Sequence, residues 1–159
     1  MSSGGRNQTE LLWKQNRVCH MVMKPSSKYD LLIADDNSGF REVIREILED
    51  RCVIRVHEVG SGEEAVEYAQ SVEIDIVLLD MHMHVMTGLE ALRELKTLNI
   101  VRPCILITSD DDLGLRRDAA EAKAYSVLNK PIRRTELCTT VENALLEAYD
   151  GLDNTELHQ

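Results

Sequence analysis

Three short runs, YDLLIA (29–34), IDIVLLD (74–80) and CILITS (104–109), are apolar almost without interruption, and each ends against acids or hydroxyls. A strand with one wet face alternates apolar and polar residues. A run that is apolar at nearly every position is covered on both sides. Such strands belong to a parallel sheet, because only crossover helices lying on both faces can cover them.

The segments between the runs supply those helices. SGFREVIREILED (38–50) places Phe40, Val43, Ile44, Ile47 and Leu48 at helical spacing, with Asn37 or Ser38 as the cap. VIRVHEV (53–59) reads as a strand with one exposed face. SGEEAVEYAQS (61–71) is a helix with Glu63 and Glu64 in its first turn, where the helix dipole favours acids. GLEALRELKTL (88–98) turns Leu89, Leu92 and either Leu95 or Leu98 inward. DLGLRRDAAEA (112–122) is a weak helix, further weakened by Gly114. YSVLN (125–129) is a fifth strand. RTELCTTVENALLEAY (134–149) is a last helix with Leu137, Val141, Ala144, Leu145 and Ala148 on one face. The pattern predicts an α/β three-layer sandwich, (βα) five times over, as one domain across 29–149. Residues 1–28 read as a flexible extension, with Met21 or Met23 as alternative starts, and 150–159 as a short polar tail.

The formal net charge is −10 and unevenly spread. Residues 1–28 hold five basic residues against one acid, a net charge of +4, so the remainder carries −14. A body that acidic argues against direct nucleic-acid binding. Cys19, Cys52, Cys104 and Cys138 are too scattered for a Cys-x-x-Cys pair and read as reduced, mostly buried thiols. No run approaches the ~18 apolar residues of a membrane span, and no secretory signal is visible, so a cytoplasmic location is expected.

Function is sought at the carboxyl ends of the strands, where sheets of this kind carry their chemistry. The first run delivers Asp35 and Asp36, the third strand Asp80, the fourth Thr108 and Ser109, and the fifth Lys130 followed by Pro131. If these strands lie side by side, the groups converge. Three carboxylates together repel one another and need a counter-charge. Oxygen-only donors suit Mg²⁺, a preference Mn²⁺ shares. Asp36 and Asp80 are the expected direct ligands, Asp35 acts through a water, and the backbone carbonyl of His82 completes the set. A carboxylate beside a divalent cation, a lysine and a hydroxyl is equipped to attack a phosphoryl donor, giving an aspartyl phosphate on Asp80. The competing reading of VLLDMHMHVMTG (77–88) is a zinc site on His82 and His84, for which no further ligands are readable. Met81, Met83 and Met86 read as loop packing rather than a copper site.

Four motifs, ADD (34–36), LLDMHM with the later TG (78–88), ILITS (105–109) and NKP (129–131), agree in order and spacing. In them the chain resembles the CheY-like receiver domain of two-component response regulators, over 29 to about 149. The resemblance implies a flavodoxin-like fold with strand order 2-1-3-4-5 and a cis Lys130–Pro131 bond. It also implies phosphotransfer to Asp80 from a sensor histidine kinase or a histidine phosphotransfer protein, and a response in the face made by the fourth helix, fifth strand and fifth helix. A homodimer through that face is one expected assembly. The chain departs from the family at four places. His84 stands where proline is usual, Thr87 precedes Gly88 in place of aspartate, and Lys123 replaces a glycine. Val127 occupies the aromatic switch position. His82 and Asp110, each two residues past Asp80 and Thr108, are expected to modulate dephosphorylation.

With only a short tail after the last helix, a stand-alone receiver acting on an unknown downstream protein is the leading expectation. It would not be an enzyme beyond its own phosphorylation and dephosphorylation. Two alternatives stand beside it. Val127 favours a pseudo-receiver scaffold without switching. A Mg²⁺-dependent small-molecule phosphatase would need an acid where His82 stands.

Overall fold

The computed structural model describes residues 28–153 apart from Cys52 and Asp111. The N-terminal extension, Cys19 and the end of the polar tail lie outside the described residues. The elements run β1 (Tyr29–Ala34), α1 (Ser38–Glu49), β2 (Ile54–Val59), α2 (Gly62–Ser71), β3 (Ile76–Asp80), α3 (Gly88–Thr97), β4 (Cys104–Thr108), α4 (Leu113–Glu121), β5 (Ser126–Asn129) and α5 (Arg134–Asp153). All strand pairs are parallel, in the order β2-β1-β3-β4-β5. This is the flavodoxin-like arrangement expected.

The apolar runs behave as their composition requires: every residue of β1, β3 and β4 is buried. Alternate residues feed two cores. Ile33, Leu78, Ile107 and Leu128 meet Ile44 and Leu48 of α1 and Leu137 and Val141 of α5. Leu32, Leu79 and Leu106 meet Val66 of α2, Leu92 and Leu95 of α3, and Ala119 of α4. Each fully buried Leu or Ile favours the folded state by about 1.5–3 kcal/mol relative to exposure. Cys104 and Cys138 are buried in these cores, and burial pushes the Cys104 thiol up to about 11.

Helix caps fix the loops that leave the carboxyl edge. Asn37 Oδ1 accepts from the Phe40 amide at 3.0 Å, deciding the α1 cap in favour of Asn37 over Ser38. Ser61 caps α2, Asp112 caps α4, and Thr87 with Glu90 forms a reciprocal capping box on α3.

Two local expectations are corrected and one open alternative is decided. The strand β2 has no clean exposed face: Arg55 is exposed, while Val56, His57, Glu58 and Val59 are half-buried. Polar cover from both layers is the cause, with Arg41 and Arg45 of α1 on Glu58 and Tyr68 of α2 on His57. Leu95 is buried on α3, whereas Leu98 falls past the helix end and is exposed. The tail expected from residue 150 begins later, because α5 continues to Asp153. Tyr149 anchors that end, its hydroxyl donating to buried Asp75 and its ring lying 5.5 Å from that of Tyr29.

Among the described residues, no helix is long and apolar enough to cross a membrane.

Candidate functional site: an acidic pocket at the carboxyl edge

The order β2-β1-β3-β4-β5 places β1 beside β3 and β4 between β3 and β5. The residues closing β1, β3, β4 and β5 therefore share one edge. Asp35 and Asp80 are buried and Asp36 is exposed, and one carboxylate oxygen from each lies within 4.8 Å of the others. Lys130 follows β5, and its backbone N–H donates to the Thr108 carbonyl at 2.7 Å. Its Nζ lies 2.8 Å from Asp35 Oδ2 and 3.5 Å from Asp80 Oδ1. The Lys130–Pro131 bond is cis, as expected.

Each acid is held by its own neighbourhood. Asp35 Oδ1 accepts from the Asn37 amide at 2.8 Å, and the Asp35 carbonyl accepts from Arg41 Nη1 at 2.6 Å. Burial pushes the Asp80 carboxyl above the usual carboxylate range, and the adjacent Asp35 charge adds to this. Lys130 and the backbone N–H of His82 offset the shift only in part. A single ammonium thus leaves the pocket short of positive charge. The donors are all oxygen and close enough to share one metal ion, which would supply that charge.

Gly88 sets how closely α3 approaches. A Cβ there would lie 2.9 Å from the Asp80 carbonyl carbon and 3.2 Å from Met81 Cα, both backbone atoms that cannot step aside. Between Asp80 and Gly88 the loop alternates: Met81 and Met83 are buried in the α2–α4 core, while His82 and His84 face solvent. The methionines are packing residues. The histidines do not gather as a metal site; among the described residues the group of three or more potential ligands is Asp35, Asp36 and Asp80. His82 instead pairs through Nε2 with Asp110 Oδ2 at 2.8 Å.

Thr108 is buried, and its hydroxyl accepts from the Asp110 amide at 3.0 Å. Ser109 is exposed beside it, and Val127 is half-buried against the α2–α4 core. Two contributors escaped the sequence reading. Phe40, read only as a helix-face residue, lies under Lys130 with Nζ 4.1 Å from its ring centroid. Arg41 buttresses the Asp35 backbone. The one available signal was their place five and six residues after Asp35, on the first turn of the helix that the acidic loop enters.

Comparison with known proteins identifies the family. The response regulator receiver domain profile matches residues 31–142. The cyclic di-GMP phosphodiesterase response regulator RpfG of Xanthomonas campestris pv. campestris is 35% identical over 119 residues, 73% of this chain but 32% of that protein. The chain thus corresponds to about a third of RpfG. The chemotaxis protein CheY of Halobacterium salinarum is 30% identical over 115 residues, 72% of this chain and 95% of that protein. The crystal structure of a CheY-like receiver domain protein from Methanospirillum hungatei shares the fold, with a TM-score of 0.74 at 22% identity, covering 79% of this chain and 99% of that one. The chain belongs to the response regulator receiver domain family.

Proposed function

We propose that this receiver domain accepts a phosphoryl group on Asp80 and signals through contact with another protein. The observation that carries the reading is the approach of Lys130 Nζ to Asp35 and Asp80, beside three carboxylates that close on one point. Asp36, Asp80 and the His82 carbonyl are the groups to hold Mg²⁺ directly, with Asp35 supporting them. Bound there, the cation neutralises phosphoryl oxygens and lowers the cost of bringing an anionic donor to an anionic nucleophile.

The protein's own groups carry the rest. A carboxylate oxygen of Asp80 attacks phosphorus, forming an O–P bond as the P–N bond of a phosphohistidine breaks. The electron pair stays on the imidazole nitrogen of the donor. Lys130 Nζ, anchored on Asp35 and placed over Phe40, pairs with a phosphoryl oxygen. The Thr108 hydroxyl donates to another. Asp35 holds the Lys130 ammonium in place. The donor is a sensor histidine kinase or a histidine phosphotransfer protein, and the receiving partner is a protein that reads the α4–β5–α5 face, or a second copy of this chain through that face.

Intact-mass measurement after incubation with acetyl phosphate and Mg²⁺ tests this. One added phosphoryl group is expected, absent from Asp80→Asn and from the metal-free control. A wild-type protein that gains no adduct and does not bind beryllofluoride would instead be a scaffold, the reading that Val127 favours.

A further inference from the structure

Asn129 Oδ1 is buried without a hydrogen-bond partner, the one side-chain atom of this kind among the described residues. A buried amide oxygen without a donor is costly and calls for an explanation. Asn129 closes β5 directly opposite Thr108 of β4. The preceding pairs show where both side chains point. Ile107 and Leu128 enter the α1–α5 core, and Leu106 and Val127 enter the α2–α4 core. Alternation therefore puts Thr108 and Asn129 together on the α2–α4 face, on strands roughly 5 Å apart.

The Thr108 hydroxyl accepts from the Asp110 amide, which leaves its own hydrogen to give, and no acceptor among the described residues takes it. A donor without an acceptor thus stands beside an acceptor without a donor. The bond between them is not made in this conformation and requires a side-chain rotation. Turning the amide over presents an N–H to the same hydroxyl, which can accept as well as donate, so the pairing survives either orientation.

We propose that Asn129 is a positioning residue for Thr108, an inference that rests on the receiver reading above. Before phosphorylation, Asn129 offers the Thr108 hydroxyl an acceptor that competes with its turn toward Asp80. With a phosphoryl group on Asp80, a charged acceptor outcompetes the neutral amide and Thr108 moves to it. This gives β4 and β5 a polar element with two positions, two residues beyond Val127, where no aromatic ring is available to follow Thr108.

The test is calorimetric titration of the full chain with beryllofluoride in the presence of Mg²⁺. Asn129→Leu removes the competitor and is expected to bind roughly two- to tenfold tighter, the worth of one net neutral hydrogen bond. On a Thr108→Val background the same substitution should have no effect. Asn129→Thr, which keeps an acceptor on that face, should return affinity toward wild type. Equal or weaker binding by Asn129→Leu, or a gain that persists without the Thr108 hydroxyl, overturns the assignment. Asn129→Ala serves the same comparison if the leucine variant does not fold. A wild-type protein that binds no beryllofluoride defeats the receiver reading and this inference together. Normal wild-type binding with no gain in the variants defeats this inference alone.

Discussion

His82 Nε2 and Asp110 Oδ2 stand 2.8 Å apart, so that one side-chain bond ties the loop after β3 to the loop after β4 beside the acidic pocket. The two side chains are 56% and 63% exposed, which makes the pair nearly worthless for stability. Its effect should instead appear in how easily water reaches the phosphoryl group. His82→Ala and Asp110→Ala are each expected to shorten the phosphoryl lifetime about fivefold, equivalent to ~1 kcal/mol of barrier. The double variant should be no faster than either single one, because both remove the same contact. Following loss of phosphate from the pre-loaded protein checks this. Additive effects would mean the residues act separately.

The raised Asp80 pKa makes a prediction about the metal-free protein. A carboxyl whose folded pKa lies above its unfolded value costs stability when ionised. The cost is absent below the unfolded value and complete above the folded one. Asp80→Asn should therefore be more stable than wild type at pH 7. The advantage should fade as the pH falls toward 4. Mg²⁺ at tenfold its Kd should stabilise wild type by about 1.4 kcal/mol and the variant by less. Urea denaturation across pH, with and without Mg²⁺, measures all of these.

Asp30 makes the opposite prediction. Burial alone would raise its pKa, but hydrogen bonds from Arg55 at 2.6 Å and His57 at 2.7 Å, with their charges, outweigh burial and hold it below the usual carboxylate range. Its contribution is present above the unfolded value near 4 and lost as the pH falls through the lower folded value. Asp30→Asn should cost roughly 1–3 kcal/mol at pH 7 and much less near pH 3. A penalty that does not change with pH would assign the loss to geometry rather than charge.

Gly88→Ala should damage the pocket without touching a charged group. The new Cβ meets the Asp80 backbone, so α3 or the end of β3 must move. A loss of about 1–3 kcal/mol in urea denaturation is expected, together with weaker beryllofluoride binding. Unchanged stability would show that the loop gives way freely.

What the sequence made legible was everything carried by runs and by strand ends. Burial on both faces of β1, β3 and β4 follows from apolar residues at nearly every position. The convergence of Asp35, Asp36, Asp80, Thr108 and Lys130 follows from each ending a predicted strand. The rest depends on pairs far apart in the chain, which no local pattern announces. Asp75 with Tyr149, Asp30 with His57, and His57 with Tyr68 at 2.6 Å are of this kind. Their effects are also where the boundaries slipped. Tyr149 anchors a helix that runs on through Gly151, against local propensity, and Tyr68 covers a strand that reads as half exposed.

Phe40, beneath Lys130, is the only phenylalanine in all 159 residues. Uniform incorporation of fluorophenylalanine would therefore place a single fluorine-bearing ring in the chain, in contact with the ammonium that is expected to change partners. The protein comes with a spectroscopic address at its pocket, readable in a crowded mixture with a kinase or any other partner, with no engineered label.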